Sequence, residues 1–384
     1  MKKSPSPEPP PQKLWHLEFG QRKWIVKIET LCVHGSKKKY DATGAVAVPI
    51  FTAATYAHPG VGESTGFDYT RSGNPTREHL EDTLTALEGG AGAIAFSSGM
   101  AAAAALMELF SPGDGVVAPL DLYGGTYRLF ETISAKNGIV ISYADDFAAA
   151  ITPATKAIFI ETPTNPMMQI IDIARVAKIA GENGLLLIVD NTFLTPYYQR
   201  PLERGADIVL HSGTKYLGGH NDALAGFLVA RDDEILEKLR VIAKTTGAAL
   251  SPFDSYLLVR GIKTLAVRME RHTATAKTLA AWLAARREVT AVNYFGLGGM
   301  ISFSLRDEAT AVRILERVRL IQYAESLGGV ESLITYPMLQ THADIPEAER
   351  VARGIDGKLL RLSVGLESAA DLIADLAGAM EGEV

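Results

Sequence analysis

Between about residue 90 and residue 230 the sequence alternates short apolar runs with segments of helical period, and that alternation limits the folds open to it. AIAFSS leads into GMAAAAALMELF, then VVAP, GIVISY and KAIFIET follow. IARVAKIAGENG precedes LLLIVD, and ADIVLHS and LAGFLVA close the series. LLLIVD is apolar without alternation, which is the pattern of a strand covered on both faces. Strands joined by helices of this length predict βαβ units, and so an α/β fold with a mostly parallel central sheet flanked by helices. In such sheets functional groups collect beyond the carboxyl ends of the strands.

A chain of 384 residues is long for one core. Past residue 250 the texture changes: a long amphipathic stretch, LLVRGIKTLAVRMERHTATAKTLAAWLAARRE, gives way to GMISFSL and KLLRLSVG, strands bounded by helices. The expectation is a large domain over 66–250 and a smaller α+β C-terminal domain over 251–384, preceded by an N-terminal arm over 28–65. Residues 1–27 read as a Pro-rich tail: MKKSPSPEPPPQ is too polar for a secretory signal and too poor in apolar residues to fold. The WHLEFGQRKWIVK that follows shows no clear period, and Lys37–Lys39 reads as a solvated turn. A net charge of −6 gives no basic field for nucleic acid, and no apolar run reaches the roughly 18 residues of a membrane span. The single cysteine, Cys32, rules out an internal disulfide and fits a reducing, cytoplasmic compartment.

The chemistry sits at strand ends. LLLIVD ends in Asp190, which taken alone is equally a turn or cap aspartate. ADIVLHS runs into Gly213, Thr214 and Lys215, and a lysine among residues as small as Ser212, Gly213 and Gly218 is out of place as a plain surface cation. AIAFSSGM turns through Ser-Ser-Gly straight into an Ala-rich helix, whose free N–H groups and dipole favour an anion. A strand-end amine, a strand-end carboxylate and an anion cradle together fit pyridoxal 5′-phosphate (PLP). The lysine would hold the aldehyde, the aspartate the pyridinium nitrogen and the helix the phosphate. Tyr123, in DLYGGTYRLF, is the aromatic placed to stack on the ring. Rival readings lack their patterns: there is no Walker A spacing, no G-x-G-x-x-G after the first strand, and no H-E-x-x-H or C-x-x-C for a metal.

HSGTKYLGGHNDALAG, VDNTF, ETPTNPM, FSSGMAA, DYTRSGNPTREHLE and ESLGGVESLITYP, met from residue 28 to the C-terminus, resemble the Cys/Met-metabolism family of PLP enzymes. The resemblance implies a fold-type I transferase architecture and a homotetramer of two active dimers, acting on amino acids. It implies Lys215 and Tyr123 as catalytic residues, with Asp190 at the ring nitrogen. Gly99, Met100, Ser212 and Thr214 would bind the phosphate, with Tyr69 and Arg71 reaching the phosphate of the neighbouring subunit's cofactor. Glu161 and Asn165 would line the cofactor side, and Arg361 would clamp the substrate α-carboxylate with Ser326 nearby, a task suited to a planar guanidinium.

Within the family, YGGTYRLF has Gly125 where methionine γ-lyases typically carry cysteine, and Glu325 matches a glutamate that accompanies γ-carbon chemistry. Arg128 matches a position that in some synthases faces the succinyl carboxylate of O-succinylhomoserine. The pattern is most similar to bacterial cystathionine γ-synthases that also act as O-acetylhomoserine thiol-lyases. The implied reaction is γ-replacement on an O-acyl-homoserine by cysteine. Cystathionine γ-lyase, cystathionine β-lyase and sulfide-using sulfhydrylase activities stay open, as do a non-catalytic PLP-fold binding protein and a plain nucleotide-binding α/β protein.

Overall fold

The computed structural model describes residues 15–19, 22–35 and 43–381. Lys37–Lys39 and the MKKSPSPEPPPQ segment lie outside them. Part of the stretch read as tail is ordered pairing: β1 (Trp15–Phe19) and β2 (Arg22–Val26) form an antiparallel hairpin. WHLEF and RKWIV carry the β-branched and aromatic residues that favour strands.

The central sheet has seven strands. They are β3 (Gly92–Phe96), β4 (Gly115–Ala118), β5 (Val140–Tyr143), β6 (Thr155–Glu161), β7 (Leu186–Asp190), β8 (Ile208–Ser212) and β9 (Gly226–Ala230), in the order β3-β9-β8-β7-β6-β4-β5. Only β9 runs against its neighbours; the other pairings are parallel. Leu187 and Val189 pack into a core on one face and Ile188 into a core on the other. That is why LLLIVD does not alternate: each buried Leu, Ile or Val contributes about 1.5–3 kcal/mol on either side.

The α-helices in order are α1 (Ile28–His34), α2 (Pro75–Glu88), α3 (Gly99–Met107), α4 (Gly124–Leu129), α5 (Phe147–Ala150), α6 (Ile173–Glu182), α7 (Thr195–Tyr198), α8 (Asp233–Thr246), α9 (Pro252–Ile262), α10 (Leu265–Ala284), α11 (Glu308–Arg317), α12 (Glu347–Ala352) and α13 (Ala369–Met380). The long amphipathic stretch is therefore two helices, broken at Lys263 and Thr264. Leu258, Val259 and Ile262 of α9 share a core with Leu80, Leu84 and Leu87 of α2. Ala276, Leu279 and Leu283 of α10 belong to the C-terminal core. The change of core thus falls inside α10, downstream of the boundary expected at 250/251.

The C-terminal sheet contains β10 (Val289–Asn293), β11 (Met300–Leu305), β12 (Gln322–Tyr323), β13 (Leu333–Thr335) and β14 (Leu359–Ser363), in the order β10-β11-β14-β13-β12. β14 is antiparallel to both neighbours, with Arg361 opposite Ser302 and Thr335. Among the described residues no helix is long and apolar enough to cross a membrane.

Candidate active site

A cavity of about 300 Å³ opens at the carboxyl edge of the central sheet, and residues from both sheets line it. Ser98 caps α3, its Oγ accepting from Ala101 N at 3.0 Å. The N–H groups of Gly99 and Met100, in the first turn, have no intrahelical acceptor by geometry, and both residues line the cavity. Ser212 and Thr214 add hydroxyls to the same wall. This wall is an anion cradle without a carboxylate.

Asp190 closes β7 and accepts from Thr192 N at 2.9 Å, while Thr192 Oγ1 accepts from Ser212 N at 2.9 Å. Thr192 therefore stitches the ends of β7 and β8 on the cavity side. Glu161 ends β6 directly beside Asp190 in the ladder, and its Oε2 accepts from Tyr123 N at 2.9 Å. Two carboxyls so placed do not ionise equally. Burial, and then the charge of Asp190, hold Glu161 well above the usual carboxylate range. Burial also raises Asp190, against the hydrogen bonds from Thr192. Of the two carboxyls, Glu161 is held the further above its ordinary range.

Lys215 follows β8 in a tight turn, closed by Gly218 N to Gly213 O at 2.8 Å and Gly219 N to Lys215 O at 2.7 Å. The buried guanidinium of Arg268 reaches the turn from α10, donating to Tyr216 O at 2.7 Å and to Gly261 O at 2.8 Å. Lys215 Nζ donates to Ser326 Oγ at 3.0 Å. Burial, and then the positive charge of Arg361, push Lys215 down to about 8, with Glu325 pulling the other way.

Arg361 enters from the middle of β14 and is 1% exposed. It donates to Asn165 Oδ1 at 2.9 Å, Thr335 Oγ1 at 3.1 Å and Ser326 O at 3.1 Å. Ser326 holds φ at +84°, a region costly for any residue with a side chain, so it can meet Lys215 with its hydroxyl and Arg361 with its carbonyl. Gly328, at φ +77°, lies so close to the lysine turn that a Cβ there would stand 2.7 Å from Tyr216 N. Tyr123 lines the cavity, and a Cβ at Gly125 would fall 2.4 Å from its Cε1, so glycine at 125 leaves room for the ring. Burial pushes the Tyr123 phenol up.

Lys215, Tyr123, Asp190, Gly99, Met100, Ser212, Thr214, Glu161, Asn165, Arg361, Ser326 and Glu325 all meet at this cavity. Three predicted residues do not line it. Arg128, at the last turn of α4, pairs with Asp344 near the surface. Tyr69 is 48% exposed, and Arg71 lies over its ring at 5.6 Å while donating to Lys244 O. Sequence reasoning missed Thr192, whose signal was its place two residues after a strand-end aspartate. It also missed Thr341, brought to the cavity from a distant loop with no local signal.

An anion cradle, two buried strand-end carboxyls side by side, and an amine with a depressed pKa on one small cavity fit PLP, and define an enzyme of that cofactor class. Residues 29–381 match the model of the "Cys/Met metabolism PLP-dependent enzyme" family. The chain is 53% identical over 359 residues to a cystathionine gamma-synthase/O-acetylhomoserine (thiol)-lyase of Bacillus subtilis (strain 168), covering 92% of this chain and 96% of the relative. It is 52% identical over 355 residues to a cystathionine gamma-synthase of Haemophilus influenzae, covering 91% and 96%. A crystal structure of cystathionine gamma-lyase from Lactobacillus plantarum, complexed with L-serine, superposes with a TM-score of 0.89 at 41% identity, covering 92% of this chain and 98% of the other. The chain belongs to the Cys/Met metabolism family of PLP-dependent enzymes.

Proposed function

We propose that this enzyme carries out γ-replacement on an O-acyl-homoserine, with cysteine as the incoming thiol, to give cystathionine. The observation that carries this reading is the position of Glu325. It lies on the wall shared by the main cavity and a second recess lined by Asn221, Asp222, Gln322 and Glu331. An acidic recess beside the cavity suits the ammonium of a second amino acid, which cysteine carries and sulfide does not. The names of the 53% and 52% identical relatives support the synthase direction.

When bound, PLP supplies an electron sink for a carbanion at Cα. The groups of the chain do the rest. Arg361 pairs with the α-carboxylate and, with the Ser326 backbone behind it, fixes the direction in which Cα–H points. Lys215, whose pKa of about 8 lets it take up and give back protons near neutrality, moves the proton from Cα and then one from Cβ. The acyloxy group leaves Cγ as a carboxylate. Glu325 holds the cysteine ammonium while the cysteine thiol gives up a proton and the sulfur bonds to Cγ, and Lys215 returns the protons to Cβ and then Cα. Asp190 keeps the negative charge that the ring nitrogen needs opposite it, and Gly99, Met100, Ser212 and Thr214 hold the phosphate.

Tyr69 and Arg71 lie away from this chain's own cavity. In this reading they serve the phosphate site of a second copy, within a cytoplasmic homotetramer of two active dimers. The test is product analysis with purified protein. O-acetyl- and O-succinylhomoserine are each offered with cysteine or with sulfide, and cystathionine is offered alone. Cystathionine from an acyl ester and cysteine is expected; breakdown of cystathionine with no synthesis would sink the synthase reading.

A further inference from the structure

Behind the cavity, on the other face of the same strand ends, lies a polar cluster shut off from solvent. Glu88, Asn191 and His211 are each 0% exposed. Glu88 Oε1 accepts from His211 Nε2 at 2.6 Å and from Asn191 Nδ2 at 3.1 Å. Asn191 Nδ2 also donates to Gln199 O at 2.8 Å, and Gln199 Nε2 donates to Asn191 Oδ1 and to Thr162 O, both at 3.0 Å.

Each of three members is the chain neighbour of a cavity residue. Thr162 follows Glu161, Asn191 follows Asp190, and His211 precedes Ser212. His211 and Ser212 are successive residues of β8, whose side chains point to opposite faces, while Thr162 joins the cluster through its backbone carbonyl just past the end of β6. Thr192 ties β7 to β8 on the cavity side; Glu88 ties them from behind.

Packing alone does not account for Glu88. It is the last residue of α2, where a carboxyl meets the negative end of the helix dipole. Among the described residues, Glu88 Oε2 and His211 Nδ1 have no partner, which adds to the cost of burial. An apolar residue would fill such a space as well or better.

We propose that Glu88 and His211 are positioning residues of the cofactor site: their bond, with Asn191, fixes the spacing of the β7 and β8 ends and so the placement of Asp190 against the cofactor's ring nitrogen. This rests on the assignment of Asp190 to that nitrogen and not on which reaction the enzyme runs.

The test uses the holoenzyme of His211→Ala, His211→Gln, Glu88→Leu, Glu88→Gln and Asp190→Asn. The readouts are the substrate-free visible absorption spectrum, PLP affinity on reconstitution, and kcat and KM. His211→Ala is expected to shift the spectrum in the same direction as Asp190→Asn, to weaken PLP binding, and to lower kcat about tenfold or more. KM should stay within about twofold. His211→Gln, which keeps an N–H at similar reach, should recover most of the spectrum and of kcat. If His211→Ala does not fold, Glu88→Leu, which removes the acceptor, is read in its place with the same signs, and Glu88→Gln, which keeps an oxygen at the same reach, is expected to recover most of the spectrum and of kcat. A spectrum and kcat like the parent's in His211→Ala, or His211→Gln no better than His211→Ala, overturns the proposal while an altered Asp190→Asn keeps the ring-nitrogen assignment. An unaltered Asp190→Asn overturns both.

Discussion

The two sheets supply the cavity in different ways. The central sheet offers the ends of its strands: Glu161, Asp190 and Ser212 each close one, and Lys215 follows the last. The C-terminal sheet offers the middle of a strand, with Arg361 paired on both sides and fully buried. A strand end is free to take a polar residue at little cost, because the ladder stops there. A guanidinium in mid-strand is affordable only where neighbouring strands bring acceptors, here Thr335, with Asn165 and the Ser326 carbonyl from loops. The half of the cavity supplied by the central sheet is thus built from local features and the half supplied by the C-terminal sheet from register.

If that division holds, substitutions in the two halves separate in their effects. The largest belongs to Lys215→Met, expected to lower kcat about 10²- to 10⁴-fold in a γ-replacement assay. The same change should stabilise the cofactor-free protein at pH 7. The folded pKa of about 8 lies below the ordinary 10.5. The unfolded chain therefore binds more protons between those values, and the parent gains stability as pH rises through that window. Thermal melts from pH 7 to 10.5 should show this gain in the parent and none of it in Lys215→Met.

Arg361→Lys keeps a cation but loses the planar fork. It should raise KM for the amino acid about 10- to 100-fold while the substrate-free absorption spectrum stays that of the parent. A changed spectrum would mean that the halves are not separable. Gly328→Ala strikes the seam between them, and both the left-handed φ and the contact with Tyr216 N predict a loss of about 1–3 kcal/mol in denaturant unfolding. The smallest effect is expected of Asp344→Ala, which frees Arg128. It should raise the ratio of kcat/KM for the succinyl over the acetyl ester by about two- to fivefold, and no change would remove Arg128 from acyl recognition.

The same division explains what could be read in advance. A strand that is apolar on both faces, then an aspartate, is a local statement, and so is a lysine among glycines; Asp190, Lys215 and the α3 cradle were legible as chemistry from such runs. Arg361, Ser326 and Glu325 were legible only through resemblance, because nothing in LLRLSVG says that β14 lies between two partners with its arginine turned to a distant cavity. The pairing of Arg128 with Asp344 depends on a loop folding back over 216 residues of chain, and no periodicity carries it. The pairing of β1 with β2 was not read because strands of five residues give too few alternations to register.

Lys215 and Arg361 are two cations in one small, dry space, and part of the low proton affinity of the lysine is the arginine's doing. If an amino acid entering the site sets its carboxylate on Arg361, as proposed, it cancels much of that field. The amine then becomes a stronger base at the moment a proton must be taken. Without that carboxylate the field of Arg361 keeps the lysine the weaker base, at about 8. Occupancy and basicity are thereby linked without any moving part.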